Sequence, residues 1–390
     1  MLTIVFAFHL LAVNVATAGP LVCVWLRWRQ TRHGDGTAAL VGRKLARHSI
    51  VMFSAGMVLG LVLLGLLWIG GRRQFFDLIR DNPWLQWKLW WGLGELVFYL
   101  LCTWAYLVLW DRLDRRRLAG RRAGRLAEWG HALLAVLAAT NLIYHFPPLF
   151  SILSAVSMDP TLRGESGLLD RAAFLHLMAS VESLSMVVHF LLASLAVTGV
   201  VVMGYSMSLA RHGEHAAAAD RVARWGGRIA LPPTLAQLLA GLYVLFHLPE
   251  WARDELLGGE LASTGLLAAS VAASLGLMHQ LAAVSMGDTR RPAVIRSMAL
   301  ITLVVLLMSG TLQRVKDRAA PSNGRREQGR QFERPGELNA DRKTAARVGV
   351  LVRDREIVVA EGAGEEGFHF SAAGGQRLGR VGGQRAVIDE

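Results

Sequence analysis

The sequence predicts an all-α protein: a polytopic transmembrane helix bundle of about eight spans, followed by a disordered C-terminal tail. Three observations carry this reading. Of the 390 residues, 53% are hydrophobic and the mean hydropathy is +0.36, too apolar for an ordinary soluble enzyme. The apolar residues fall into blocks long enough to cross a bilayer, which takes about 20 mostly apolar residues per helix. The charged residues fall between those blocks. The net charge of +12 could suggest a nucleic-acid partner. Placement of the basic residues at span ends and in loops excludes that and names membrane lipid instead.

The blocks run, in order, over 1–27, 48–71, 88–111, 128–157, 171–210, 228–249, 262–287 and 292–312. The fifth is longer than a span requires and is expected to extend beyond the membrane. The first carries Ala16-Thr17-Ala18, a possible signal-peptidase site, but no basic residue precedes its apolar run and apolar character resumes at Leu21. It is therefore read as a retained span. Between the second and third blocks, Phe75, Phe76, Trp84 and Trp87 stand among charges. That mixture suits a short helix at the headgroup level. Pro147-Pro148 removes backbone donors and is expected to kink or end the fourth span. Residues 313–390 form a separate polar region, rich in Gly, Arg and Glu, read as disordered or weakly structured.

Loops after the odd-numbered spans hold 20 Lys/Arg, and those after the even-numbered spans hold 7. This positive-inside bias places the N-terminus outside a bacterial inner (cytoplasmic) membrane. Both cysteines, Cys23 and Cys102, lie in spans, and no CxxCH occurs, so covalent heme attachment is not indicated.

Ionisable groups inside spans are costly and mark function. His9, His48, His131, His145, His176, His189, His247 and His279 lie in or at the edges of the blocks, with Glu95 and Glu182. Imidazole is a good ligand for heme iron, and a helix bundle can hold the macrocycle between its helices. His9, His145, His176, His189, His247 and His279 are the candidate ligands. His48 and His131 stand at span starts, where an imidazole can reach water. If 171–210 is one helix, His176 and His189 point about 140° apart and sit roughly 20 Å apart along it, so they would serve separate hemes. Glu95 and Glu182 are candidate proton-handling groups.

The segment Phe6-Ala7-Phe8-His9-Leu10-Leu11 resembles the first helix of subunit I of the cytochrome bd oxidases. Trp110-Asp111-Arg112-Leu113 is similar to the end of that subunit's third helix. Thr140-Asn141-Leu142 and Met158-Asp159-Pro160 are similar to its fourth helix and exit, and Ala173-Phe174-Leu175-His176 to the start of its fifth. The resemblance covers about residues 1–210. It implies one or more b-type hemes, a metal-ligating His9 at a high-spin heme and a metal-ligating His176 at a low-spin heme. It also implies electron transfer within a respiratory complex with partner subunits. The family's long quinol-receiving loop after helix six, its methionine ligand on helix seven and its Gly-Arg-Gln-Pro-Trp motif are not present. The expected function is thus a divergent, shortened heme b-binding electron-transfer subunit, resembling an oxidoreductase and supplied by an external donor. The alternatives are a cofactor-free transporter or channel using the buried His and Glu, or a heme-less structural subunit.

Overall fold

The computed structural model describes residues 1–71, 73–119, 124–158, 162–163, 168–211, 216–248 and 250–319, together with four strands between 348 and 381. Contacts divide the chain into two units, Met1–Ala319 and Ala320–Glu390.

The first unit is helical. Its elements are α1 (Leu2–His33), α2 (Gly36–Ile69), α3 (Arg73–Arg80), α4 (Pro83–Leu118), α5 (Arg125–Met158) and α6 (Arg171–Met178). After these come α7 (Val181–Ala210), α8 (Ala216–His247), α9 (Glu250–Asp254), a single π-turn (Glu255–Gly259), α10 (Leu261–Met286) and α11 (Arg291–Ala319). Among the described residues eight helices are long and apolar enough to cross a membrane: α1, α2, α4, α5, α7, α8, α10 and α11. They correspond one for one to the eight apolar blocks, and the chain is a multi-pass membrane protein. Polar caps start several of them: the side chains of Asp35, Asn82 and Ser180 accept from the backbone N–H three residues on.

α1 is the centre of the bundle, packed on α2, α5, α7 and α11, while α8 joins α7 to α10. The core they share includes Val15, Leu26, Leu45, Trp110, Met203 and Leu281. Small residues bring backbones close where side chains could not. A Cβ on Gly199 would lie 2.7 Å from the Ala230 nitrogen, and one on Gly226 would collide with the Met203 nitrogen and the Gly199 oxygen. The α7–α8 crossing is therefore a backbone contact, a common solution where lipid supplies no hydrophobic drive between helices. Gly226→Ala is expected to cost about 1–3 kcal/mol, the usual range for overpacking, read as a lower unfolding midpoint in detergent. An unchanged midpoint would contradict the crossing. Large apolar side chains such as Leu61, Leu239 and Trp90 face outward, at 67%, 70% and 72% exposure, and so meet lipid.

Two expectations need correction. The fifth apolar block is not one helix. Ser180 adopts an extended conformation (φ −65°, ψ 152°) and caps α7, which separates α6 with His176 from α7 with His189. The angle and spacing derived for that pair on one helix therefore do not apply. Pro147-Pro148 does not end α5, which runs on to Met158, and Pro232-Pro233 lies within α8. Packing on both sides of the first pair, by Leu142 before it and by Leu149, Ile152 and Leu153 after it, holds the helix through the lost donors.

In the second unit, β1 (Val348–Arg353), β2 (Glu356–Gly362), β3 (Phe368–Ser371) and β4 (Gly379–Val381) form an antiparallel meander in sequence order. Its registers include Val350 opposite Val359 and Phe370 opposite Gly379. The sequence reading of this tail does not name such a ladder.

Candidate functional site

His9 is half-buried on α1 and leans on α2. Its Nδ1 lies 2.8 Å from the Gly56 carbonyl oxygen. A carbonyl only accepts, so Nδ1 carries the proton and Nε2 keeps a free lone pair in the neutral ring. Histidines that bind metals are usually held this way, by a bond from the other ring nitrogen. One turn further along α2 there is glycine again: a Cβ on Gly60 would come 3.2 Å from His9 Cε1. The space beside the ring thus depends on Gly60.

His189 faces α8 from α7. Its Nε2 is 3.2 Å from Gln237 Nε2, its Nδ1 is buried with no hydrogen-bond partner, and Gly241 lies beside its Cε1. Because the Gln237 amide nitrogen donates, His189 Nε2 accepts and Nδ1 carries the proton, so a metal would bind at Nε2 in place of the Gln237 bond. His176, by contrast, is exposed on the short α6.

A buried 2.8 Å bond from Ser194 to Asn14 fixes how α1 and α7 align. His9 and His189 each precede that bond by five residues, so they stand at the same depth, at the side of the bundle where α1 begins. Five residues also turn each side chain about 140° away from the shared seam. The two imidazoles therefore occupy opposite sides of it, one against α2 and the other against α8.

Glu95 on α4 meets His145 on α5, with Oε1 3.2 Å from Nε2. Asn141 fixes this pair by donating to the Glu95 carbonyl at 2.7 Å. A second bond, from Tyr99 to the Ala16 carbonyl, places Glu95 about one turn deeper than His9. A carboxylate and an imidazole in contact inside a span can hold and pass a proton. Glu182 is exposed in the first turn of α7, away from this pair. His247 is exposed at the end of α8, with Nδ1 on the Tyr243 carbonyl and its ring stacked on Tyr243. His279 is exposed on α10 and forms no hydrogen bond with any described residue.

At the opposite, basic side the structure shows a cluster that the sequence reading misses. Arg27, 4% exposed, donates to Asp114 at 2.7 Å and to Glu128 at 2.9 and 3.1 Å. Gln30 and Trp110 also donate to Asp114, and Arg27 lies over the Trp110 ring. His131 completes it. Rather than reaching water at a span start, His131 is fully buried, two turns inside α5. It stacks on Tyr106 at 3.9 Å, meets Trp110 edge-on and contacts the Tyr106 carbonyl through Nε2. Rings on two sides leave it a structural role. The only early signal was charge at span ends, which reads as solvated loop. His48 is bonded to the Tyr205 hydroxyl at 2.6 Å.

Among the described residues no three His, Cys, Asp or Glu side chains gather closely enough to hold a bare metal ion. Heme asks less of the protein, since its iron needs only one or two side-chain ligands, and His9 and His189 fit that demand.

The fold and these sites define a polytopic helical membrane protein with ionisable groups layered inside the bundle. No family model matches the chain, and no curated protein matches it. Among solved structures it is similar to the bd oxidase from Geobacillus thermodenitrificans, with a TM-score of 0.61 and 15% identity, over 82% of this chain and 85% of that chain. The chain thus has a bd-oxidase-like fold.

Proposed function

We propose that this chain is a heme b-binding membrane electron-transfer subunit of bd-oxidase type, with His9 and His189 as iron ligands. The observation that carries the reading is the His9 ring, whose Nδ1 is tied to Gly56 so that Nε2 keeps its lone pair inside an apolar bundle. The bd-like fold over most of the chain supports it. Heme, when bound, supplies one-electron chemistry. The chain's own residues set the ring orientation of each ligand and exclude water from its surroundings. The Glu95–His145 pair holds a proton within about a turn of the same depth.

Only α9 and one π-turn link α8 to α10, so electrons enter from a partner subunit or an external carrier rather than through a long quinol loop. His176 and His247, exposed at the edge of the bundle, are not assigned as iron ligands. The chain works in a bacterial inner membrane with its N-terminus outside, alongside other subunits of a respiratory complex. A cofactor-free transporter is the weaker reading, because both proline pairs lie in uninterrupted helices rather than at broken-helix sites. The test is pyridine hemochrome quantitation of the purified protein expressed with ample heme. Stoichiometric b-type heme is expected, and its absence would overturn the reading.

A further inference from the structure

Lys44 on α2 is a cation without a carboxylate. Its ammonium donates to the Ser208 hydroxyl on α7 at 3.2 Å and lies 4.8 Å from the centre of the Tyr205 ring. His48, one turn along α2, is bonded to the Tyr205 hydroxyl at 2.6 Å and so fixes that ring. Two turns the other way on the same face, Thr37 accepts from Arg221 of α8 at 3.0 Å. Neither Lys44 nor Arg221 forms an ion pair with any described residue. Arg27, Arg29, Arg43 and Arg117, on the same side of the bundle, each meet a carboxylate. An ammonium has three N–H donors. One goes to Ser208, and the exposed position of Lys44 leaves others open.

Depth and neighbours suit these open donors to a lipid phosphate. Tyr205 and Ser208 lie about 14 Å and 19 Å past the midpoint of α7. Hydrocarbon ends about 15 Å from the bilayer centre, and headgroups reach about 20–22 Å. The ammonium therefore stands at the phosphodiester level. Both α2 and α7 pack on α1 but scarcely on each other, so a cleft floored by α1 runs between them. Toward the hydrocarbon, Val51 and Val58 fall within about 40° of the direction of Lys44 and are 56% and 60% exposed. They offer an acyl chain contact on the same face. On the orientation proposed above, this end of the bundle meets the anionic cytoplasmic leaflet, where basic pockets between spans take anionic headgroups.

We propose that the cleft between α2 and α7 binds one anionic phospholipid, with its phosphate on Lys44 in the positive field of Arg221 and an acyl chain along Val51 and Val58. The inference rests on that orientation and does not depend on heme.

The test uses the full chain, purified and delipidated in detergent. It is titrated with phosphatidylglycerol or with phosphatidylcholine of the same acyl chains, and bound lipid is counted by native mass spectrometry. Wild type is expected to hold one phosphatidylglycerol roughly 20-fold more tightly than phosphatidylcholine, the scale of two cations near a membrane surface. Lys44→Gln and Arg221→Gln are each expected to lower that preference about fivefold. Arg296→Gln, which removes an exposed cation near the start of α11, is expected to leave it unchanged. Equal binding of the two lipids would overturn the proposal. So would an unchanged preference in both Lys44→Gln and Arg221→Gln, or an equal loss in Arg296→Gln, the mark of a general basic rim. Displacement of phosphatidylglycerol by excess glycerol phosphate would show a site for a soluble anion and overturn the lipid assignment.

Discussion

His9→Ala and His189→Ala protein, purified beside the wild type, is expected to lose heme, whereas His176→Ala and His279→Ala protein retains it. The loss should exceed the 10–100-fold weakening that removal of an outer-shell partner typically causes, because here the ligand itself goes. His9 presents an unprotonated Nε2 because Gly56 holds the other nitrogen. His189 is half-buried between α7 and α8, and its Nε2 has a lone pair that now accepts from Gln237. His176 and His279 are exposed. Since His9 and His189 lie on opposite sides of the α1–α7 seam, each substitution should remove its own spectral component and leave the other. Heme retained in both single variants, but lost on His176→Ala, would show that the low-spin site lies at α6 and would refute the assignment of His189.

Arg27→Met is expected to destabilise the protein by about 3–5 kcal/mol, the cost of leaving buried charges without their partner. Two carboxylates, Asp114 and Glu128, depend on this one guanidinium, whose side chain is only 5% exposed. Arg290 makes an ion pair of the same 2.7 Å length with Asp288, but its side chain is 78% exposed. Arg290→Met is expected to leave the unfolding midpoint nearly unchanged, as substitutions in exposed pairs do. Burial, not distance, decides the difference. Thermal unfolding of the two variants in one detergent measures it, and equal midpoints would contradict the cluster's structural role. A shorter cation is also a poor substitute, because Lys cannot reach two carboxylates through a planar fork.

The eight spans were legible because hydrocarbon imposes a length and a composition that few soluble helices meet. The cap at Ser180 was not, since apolar residues continue on both sides of it and one serine in such a run carries little signal. Pro147-Pro148 does not end its helix for a related reason: a local rule about donors was outweighed by packing on both flanks. Among the site residues, His9 was legible from its place in an apolar run, and Glu95 from its charge. Their settings, Gly56 and Gly60 for the one and His145 with Asn141 for the other, come from different helices and had no local signature. The Arg27 cluster was hidden by its ordinary appearance. Arg27, Asp114 and Glu128 sit at the ends of three apolar blocks, where charges usually meet water, and only the bundle's geometry brings them together and buries them.

The role proposed for this bundle is electron transfer on b-type heme. The measurement that reaches it most directly is a potentiometric titration of the purified wild-type protein, followed by its visible bands. Reversible one-electron steps in sharp reduced-minus-oxidised bands are the expected result. A featureless spectrum at every potential, from protein expressed with ample heme, would contradict it.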